Sequence, residues 1–215
     1  MCSTEEIYVT LGKEGISETE VKKSIFIGHA APVKSEAEAL EYIAKYKKKY
    51  SDATHNVWAY LIKNGNLMRY TDDGEPSGTS GIPVLDVIRK GGFTDAVIVV
   101  TRYFGGTLLG TGGLVRAYSA AAKAAVDDAG LASFSKFDEI IVETDYQMYQ
   151  KLKNYLKHPD VIVDETEFSG TVMVKIAVFE ESTESVCKDI SEMSAGRAVI
   201  EKIGQRLDQK RESII

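Results

Sequence analysis

Two loops hold most of the residues able to do chemistry. The first, Thr71-Asp72-Asp73-Gly74-Glu75-Pro76-Ser77-Gly78-Thr79-Ser80-Gly81, places the carboxylates Asp72, Asp73 and Glu75 within four positions. Carboxylates that close could hold a hard cation, or one could serve as a base, while Gly74 frees the backbone to turn tightly. Ser77 adds a hydroxyl. Surface turns use the same residue types, so a plain turn is the competing reading. The spacing is not that of an EF-hand, and no metal is called for.

The second loop is Thr101-Arg102-Tyr103-Phe104-Gly105-Gly106-Thr107-Leu108-Leu109-Gly110-Thr111-Gly112-Gly113-Leu114-Val115-Arg116. A strand feeding glycines and then a helix start gathers backbone N–H groups into a concave donor set suited to an anion, which Arg102 and Arg116 could complete. No Lys-Ser or Lys-Thr follows Gly110, and Val115 stands where a third glycine of GxGxxG is needed. Nucleotide hydrolysis is therefore unsupported, and no cofactor is expected. The competing reading is that Gly105, Gly106, Gly110, Gly112 and Gly113 let an alanine-rich helix lie close on the strand.

His55 opens an apolar strand. With Asp72 or Asp73 and Ser77 it would supply a hydrolase-type site for a small anionic or peptide substrate. No G-x-S-x-G elbow is present, and a lone His at a strand end is more often a hydrogen-bonded structural residue. His55 is therefore an accessory candidate, and no residue is assigned a catalytic role. No His/Cys spacing resembles a zinc site.

These loops need a scaffold, and apolar periodicity supplies one. Strands are expected at Ile7–Leu11, Gly15–Val21 and Ser24–Ala31, followed by an amphipathic helix with Ser35 as N-cap and Glu36 and Glu38 in its first turn. Its closing Lys45, Lys47, Lys48 and Lys49 suit the negative end of a helix dipole; a phosphate-binding patch is the alternative. Asn56–Ile62 and Leu67–Thr71 form a hairpin around Asn64-Gly65, with Trp58 and Tyr60 on one face as core. Pro83 opens a short helix that stops at Gly91-Gly92. The β-branched run Ala96–Thr101 is a buried strand, and Leu114–Ala129 is a helix closed by Gly130. From Lys136 the order becomes strand (Asp138–Thr144), helix (Tyr146–Lys157), strands (Val161–Phe168, Thr171–Phe179), helix (Thr183–Ser194) and strand (Ala198–Gln205). That is the ferredoxin-like βαββαβ order. The chain is thus expected to be α+β with two domains, 1–132 and 133–215, the boundary falling in Gly130–Ser135.

The 215 residues carry a net charge of −6, which excludes a protein that coats nucleic acid through charge alone. Up to Leu131 there are 15 basic and 16 acidic side chains and beyond it 11 and 16, so the acidity is C-terminal. The longest apolar runs are far below the roughly 20 residues of a bilayer-spanning helix. Cys2 and Cys187 make no disulfide framework, and a cytoplasmic protein with reduced thiols is expected. The second domain has the chain order of an RNA-recognition module but lacks stacking aromatics on its central strands, which argues against RNA binding there.

Tyr70–Thr79 together with Val100–Tyr118, and His55 within His55-Asn56-Val57-Trp58-Ala59-Tyr60, resembles the core motif of the IMPACT/YigZ family. The resemblance spans nearly the whole chain. It implies a first domain like domain IV of elongation factor G and the second domain of the fifth small-subunit ribosomal protein, and a second domain like domain V of that factor. Eukaryotic members regulate translation under amino-acid starvation through a partner domain this chain lacks; the bacterial two-domain form brings no settled activity. The expectation is a translation-linked factor contacting RNA, the ribosome or a protein through Asp72–Gly81 and Arg102–Arg116.

Overall fold

The computed structural model describes residues 8–63 and 66–209, which divide into two compact units, Tyr8–Ala132 and the part from Ser133 onward. The Asn64-Gly65 turn and Cys2 lie outside the described residues.

In the first unit the elements run β1 (Tyr8–Leu11), β2 (Gly15–Val21), β3 (Ser24–Pro32), α1 (Glu36–Lys49), β4 (His55–Ile62), β5 (Leu67–Thr71), α2 (Gly81–Gly91), β6 (Ala96–Tyr103) and α3 (Thr111–Ala129). An antiparallel sheet in the order β2-β3-β6-β4-β5 forms the middle layer. Its central strand β6 shows why a continuous apolar run is needed. Ala96, Ile98 and Val100 join the core under α2 and α3, while Val97 and Val99 join the core under α1, and all five are fully buried. Alternation cannot mark a strand that is covered on both faces. Ser35 caps α1 as expected, its hydroxyl accepting from Glu38 N at 3.2 Å. Tyr60 is buried and Trp58 packs against the α1 core.

The close approach of α3 to the sheet is made by Gly15 and Gly28, not by the loop glycines. A Cβ on Gly28 would stand 2.6 Å from Ala121 O, and one on Gly15 2.2 Å from Ala125 O. Ser17 Oγ donates to Ala121 O at 2.8 Å across the same seam.

The β2–β3 hairpin closes on Lys22-Lys23, both left-handed at φ 46° and 67°. No Asn or Gly signals that turn. It is imposed by the register running from Gly15↔Ala30 to Val21↔Ser24.

The second unit contains β7 (Leu131–Thr144, beginning just before it), α4 (Tyr146–Tyr155), β8 (Val161–Phe168), β9 (Val172–Phe179), α5 (Thr183–Met193) and β10 (Val199–Gln209). The strand order β10-β7-β9-β8 with α4 and α5 is the ferredoxin-like fold. Asp145 caps α4 by accepting from Met148 N at 2.7 Å. Gly130–Ser135, where the domain boundary is expected, is strand from Leu131, because Phe134 and Ser135 pair with Gln209 and Asp208. Pairing partners outside the local window decide such a boundary. No helix among the described residues is long and apolar enough to cross a membrane.

Candidate functional site

Strand direction brings the predicted residues to one end of the first sheet. The start of β4, the ends of β5 and β6 and the β2–β3 turn all lie there, since Arg102 pairs with His55 and Phe26 and Trp58 with Thr71. The loops 72–80 and 104–110 leave from this edge, and the last turn of α1 reaches it through Lys47 Nζ, 3.2 Å from Asp73.

Each carboxylate of the first loop has a job inside the fold. Asp72 accepts from Gly78 N (2.8 Å), Ser80 N (3.1 Å), Ser80 Oγ (2.7 Å) and Gly81 N (2.8 Å), so it caps α2 from nine residues upstream. Burial would raise its pKa, but those hydrogen bonds outweigh burial and hold the carboxyl below its usual value. Asp73 accepts from Asn56 N at 2.6 Å and sits at φ 46°. Glu75 is buried, and its Oε1 accepts from Arg102 Nη1 at 2.6 Å and from Tyr118 Oη at 2.8 Å. Burial first, then the charge and hydrogen bond of Glu75, drive the Tyr118 hydroxyl far above its ordinary pKa, so it stays a proton donor. Gly74, at φ 89°, takes a backbone shape closed to most side chains. Ser77 is exposed. Among the described residues no three His, Cys, Asp or Glu side chains converge to hold a metal ion.

Arg102, expected to face an incoming anion, is only 5% exposed. Its guanidinium serves Glu75 and donates through Nη2 to Ser24 Oγ at 3.3 Å. It also lies over the rings of Phe26 and Phe104, 5.5 and 5.4 Å from their centres. Arg116 is exposed on α3 and forms no ion pair with a described residue. Of the second loop's glycines, only Gly105 and Gly113 are closely packed. A Cβ on Gly105 would stand 2.0 Å from the Lys23 carbonyl, and one on Gly113 would stand 3.1 Å from Leu109 Cβ. Gly106, Gly110 and Gly112 look onto open space. Gly110 begins α3 without a side-chain cap, and no acid lies in the first turn. The loop therefore keeps exposed N–H groups at a positive helix end.

His55 lies between the loops. Its Nδ1–H donates to Asp73 O at 2.7 Å, which fixes the tautomer, and Nε2 is 3.7 Å from Glu75 Oε1. Ser77 makes no hydrogen bond to it. Several participants are not singled out by residue type and spacing. Ser24 Oγ joins Arg102 to Gly105 N (3.2 Å). Asn56 holds Tyr50 O and Thr101 Oγ1. Tyr118 is indistinguishable by spacing from a core residue of α3. An apolar groove of about 810 Å³ between α2 and α3, lined by Ile82, Val87, Phe93, Val115 and Val126, includes neither His55, Glu75 nor Arg102.

Residues 22–126 match the Impact N-terminal domain, and residues 142–197 match a domain of unknown function, DUF1949. The chain is 36% identical over 196 residues to the IMPACT family member YvyE of Bacillus subtilis, covering 91% of this chain and 90% of that protein. It is 43% identical over 102 residues to the Protein IMPACT homolog of Dictyostelium discoideum, covering 45% of this chain and 28% of that protein. A crystal structure of a hypothetical protein superposes with a TM-score of 0.58 at 25% identity, covering 92% of this chain and 98% of the other.

Proposed function

From the premise that the chain belongs to the IMPACT family, whose eukaryotic members are linked to translation regulation, we propose that it is a translation-linked binding factor that contacts RNA, free or on the ribosome, with the loop end of its first unit. The observation that carries this reading is how charge is sorted at that end. Lys22, Lys23, Lys48 and Arg116 are exposed there. Four of the acids nearest the loops are held by hydrogen bonds within the chain, Asp72 by loop amides, Asp73 by Asn56 N and Lys47, Glu75 by Arg102 and Tyr118, and Asp52 by Tyr103 Oη at 2.9 Å, which leaves Glu20 at the end of β2 as an exposed acid beside the cations. A polyanion thus meets cations locally on a chain that is acidic as a whole. Co-sedimentation with ribosomes at low and moderate salt tests the proposal. Association should weaken as salt rises, and the combined Lys22→Ala, Lys23→Ala and Arg116→Ala variant should lower the salt slope by about one unit for every phosphate it no longer neutralises. Salt-insensitive binding, or a variant that sediments like the parent chain, would refute it.

A second reading, hydrolysis of a small anionic or peptide substrate, is favoured by one observation: His55 sits between both loops with Nε2 turned away from its Asp73 contact. Against it, Glu75 is committed to Arg102 and Tyr118, and no hydroxyl or thiol of a described residue bonds His55. Turnover of phosphate esters or short peptides that vanishes in His55→Ala, with ribosome association intact, would favour this second reading.

A further inference from the structure

Phe104 is a large apolar side chain left 45% exposed at the end of β6. A single exposed aromatic is ordinary on a protein surface; this one is held from behind. Its backbone N–H donates to Thr54 Oγ1 at 3.1 Å. The Arg102 guanidinium lies over the ring, and that guanidinium is itself fixed by Glu75 and Ser24 and packed over Phe26. The next two residues, Gly105 and Gly106, have no side chain with which to cover it, and a Cβ on Gly106 would meet nothing within 4 Å. Gly105 rests on the Lys23 main chain, which brings the Lys22-Lys23 turn against the segment that carries the ring.

We propose that Phe104 is a stacking platform for an unpaired base, which makes single-stranded RNA the substrate class of the loop end; the inference rests on the RNA-binding reading above. A flat apolar ring accepts the face of any base, and flanking lysines take the adjoining phosphates. A duplex keeps its base faces stacked inside and offers the ring nothing except at its ends.

The test is fluorescence anisotropy of the full chain with a labelled single-stranded RNA of about 12 nucleotides, within the site sizes of such surfaces, and with the same sequence as a duplex, at two salt concentrations. The expected result is tighter binding of the single strand, a loss of roughly 5- to 150-fold in Phe104→Ala, the span of one base stack removed, and recovery in Phe104→Trp. Duplex binding and the salt slope should be unchanged in both variants. If Phe104→Ala binds the single strand like the parent while Lys22→Ala with Lys23→Ala weakens it, the platform is wrong and the RNA reading stands. If Phe104→Ala weakens single strand and duplex alike, stacking is overturned. A parent chain with no salt-sensitive binding to either RNA overturns both.

Discussion

Replacing Glu75 with Gln separates charge from shape at the centre of the site. The Glu75 and Arg102 side chains are 4% and 6% exposed, and they meet at 2.6 Å. Glu75→Gln leaves an amide oxygen for Tyr118 but strands a guanidinium where water does not reach, at a cost of about 3–5 kcal/mol. Arg102→Met strands the carboxylate at a similar cost. The double variant carries no buried charge, keeps the Tyr118 hydrogen bond and removes Arg102 Nε, a buried donor without a hydrogen-bond partner. It should lose only about 1–2 kcal/mol, far less than additivity requires. The chain has one tryptophan, Trp58, and it lies on β4, so urea unfolding followed by its fluorescence reports the first unit alone. For a slope of about 2 kcal/mol per molar, each single variant should lower the midpoint by roughly 2 M. Single variants within about 1 kcal/mol of the parent, or a double variant as costly as both singles together, would refute a charge-matched buried pair.

Gly105→Ala should be severely destabilising, because its Cβ meets the Lys23 carbonyl at 2.0 Å, whereas Gly112→Ala enters open space in the first turn of α3 and should stabilise by up to about 1 kcal/mol; thermal melts of the two variants should move in opposite directions. Asp72→Ala removes the acceptor of four hydrogen bonds and should cost about 2 kcal/mol, with amide exchange at Gly78, Ser80 and Gly81 accelerating first. Burial, then Lys49 and Lys45, push the His29 pKa down to about 4 from 6.5. The unfolded chain therefore binds the extra proton between those values, and stability should fall by roughly 3 kcal/mol as pH drops through that window. His29→Gln should flatten the slope there, and an unchanged slope would exclude His29 as its source.

Much of the scaffold is legible in local pattern because local chemistry dictates it. Ser35 does cap α1, and the β-branched run 96–101 is the strand buried on both faces. The turn at Lys22-Lys23 is placed by the expected strands on either side of it and not by its own residues, since neither prefers a left-handed backbone. The strand that begins at Leu131 is legible only from Asp138, because the partner of its first part lies some seventy residues later in β10. At the candidate site, residue types point to the right neighbourhood but not to occupancy. Arg102 has the chemistry of an anion ligand whether it faces water or Glu75, and only packing decides. Tyr118 and Ser24 join through bonds that span 43 and 78 residues of chain, to Glu75 and to Arg102, which no spacing rule encodes.

The seat of Gly105 on the Lys23 carbonyl couples two turns that are remote in sequence. Gly105 N also donates to Ser24 Oγ at 3.2 Å, so a ligand that shifts the segment after β6 should move the hairpin tip with it. A probe attached at position 22 would then report events at position 104, and a lengthened turn at either place would unseat both.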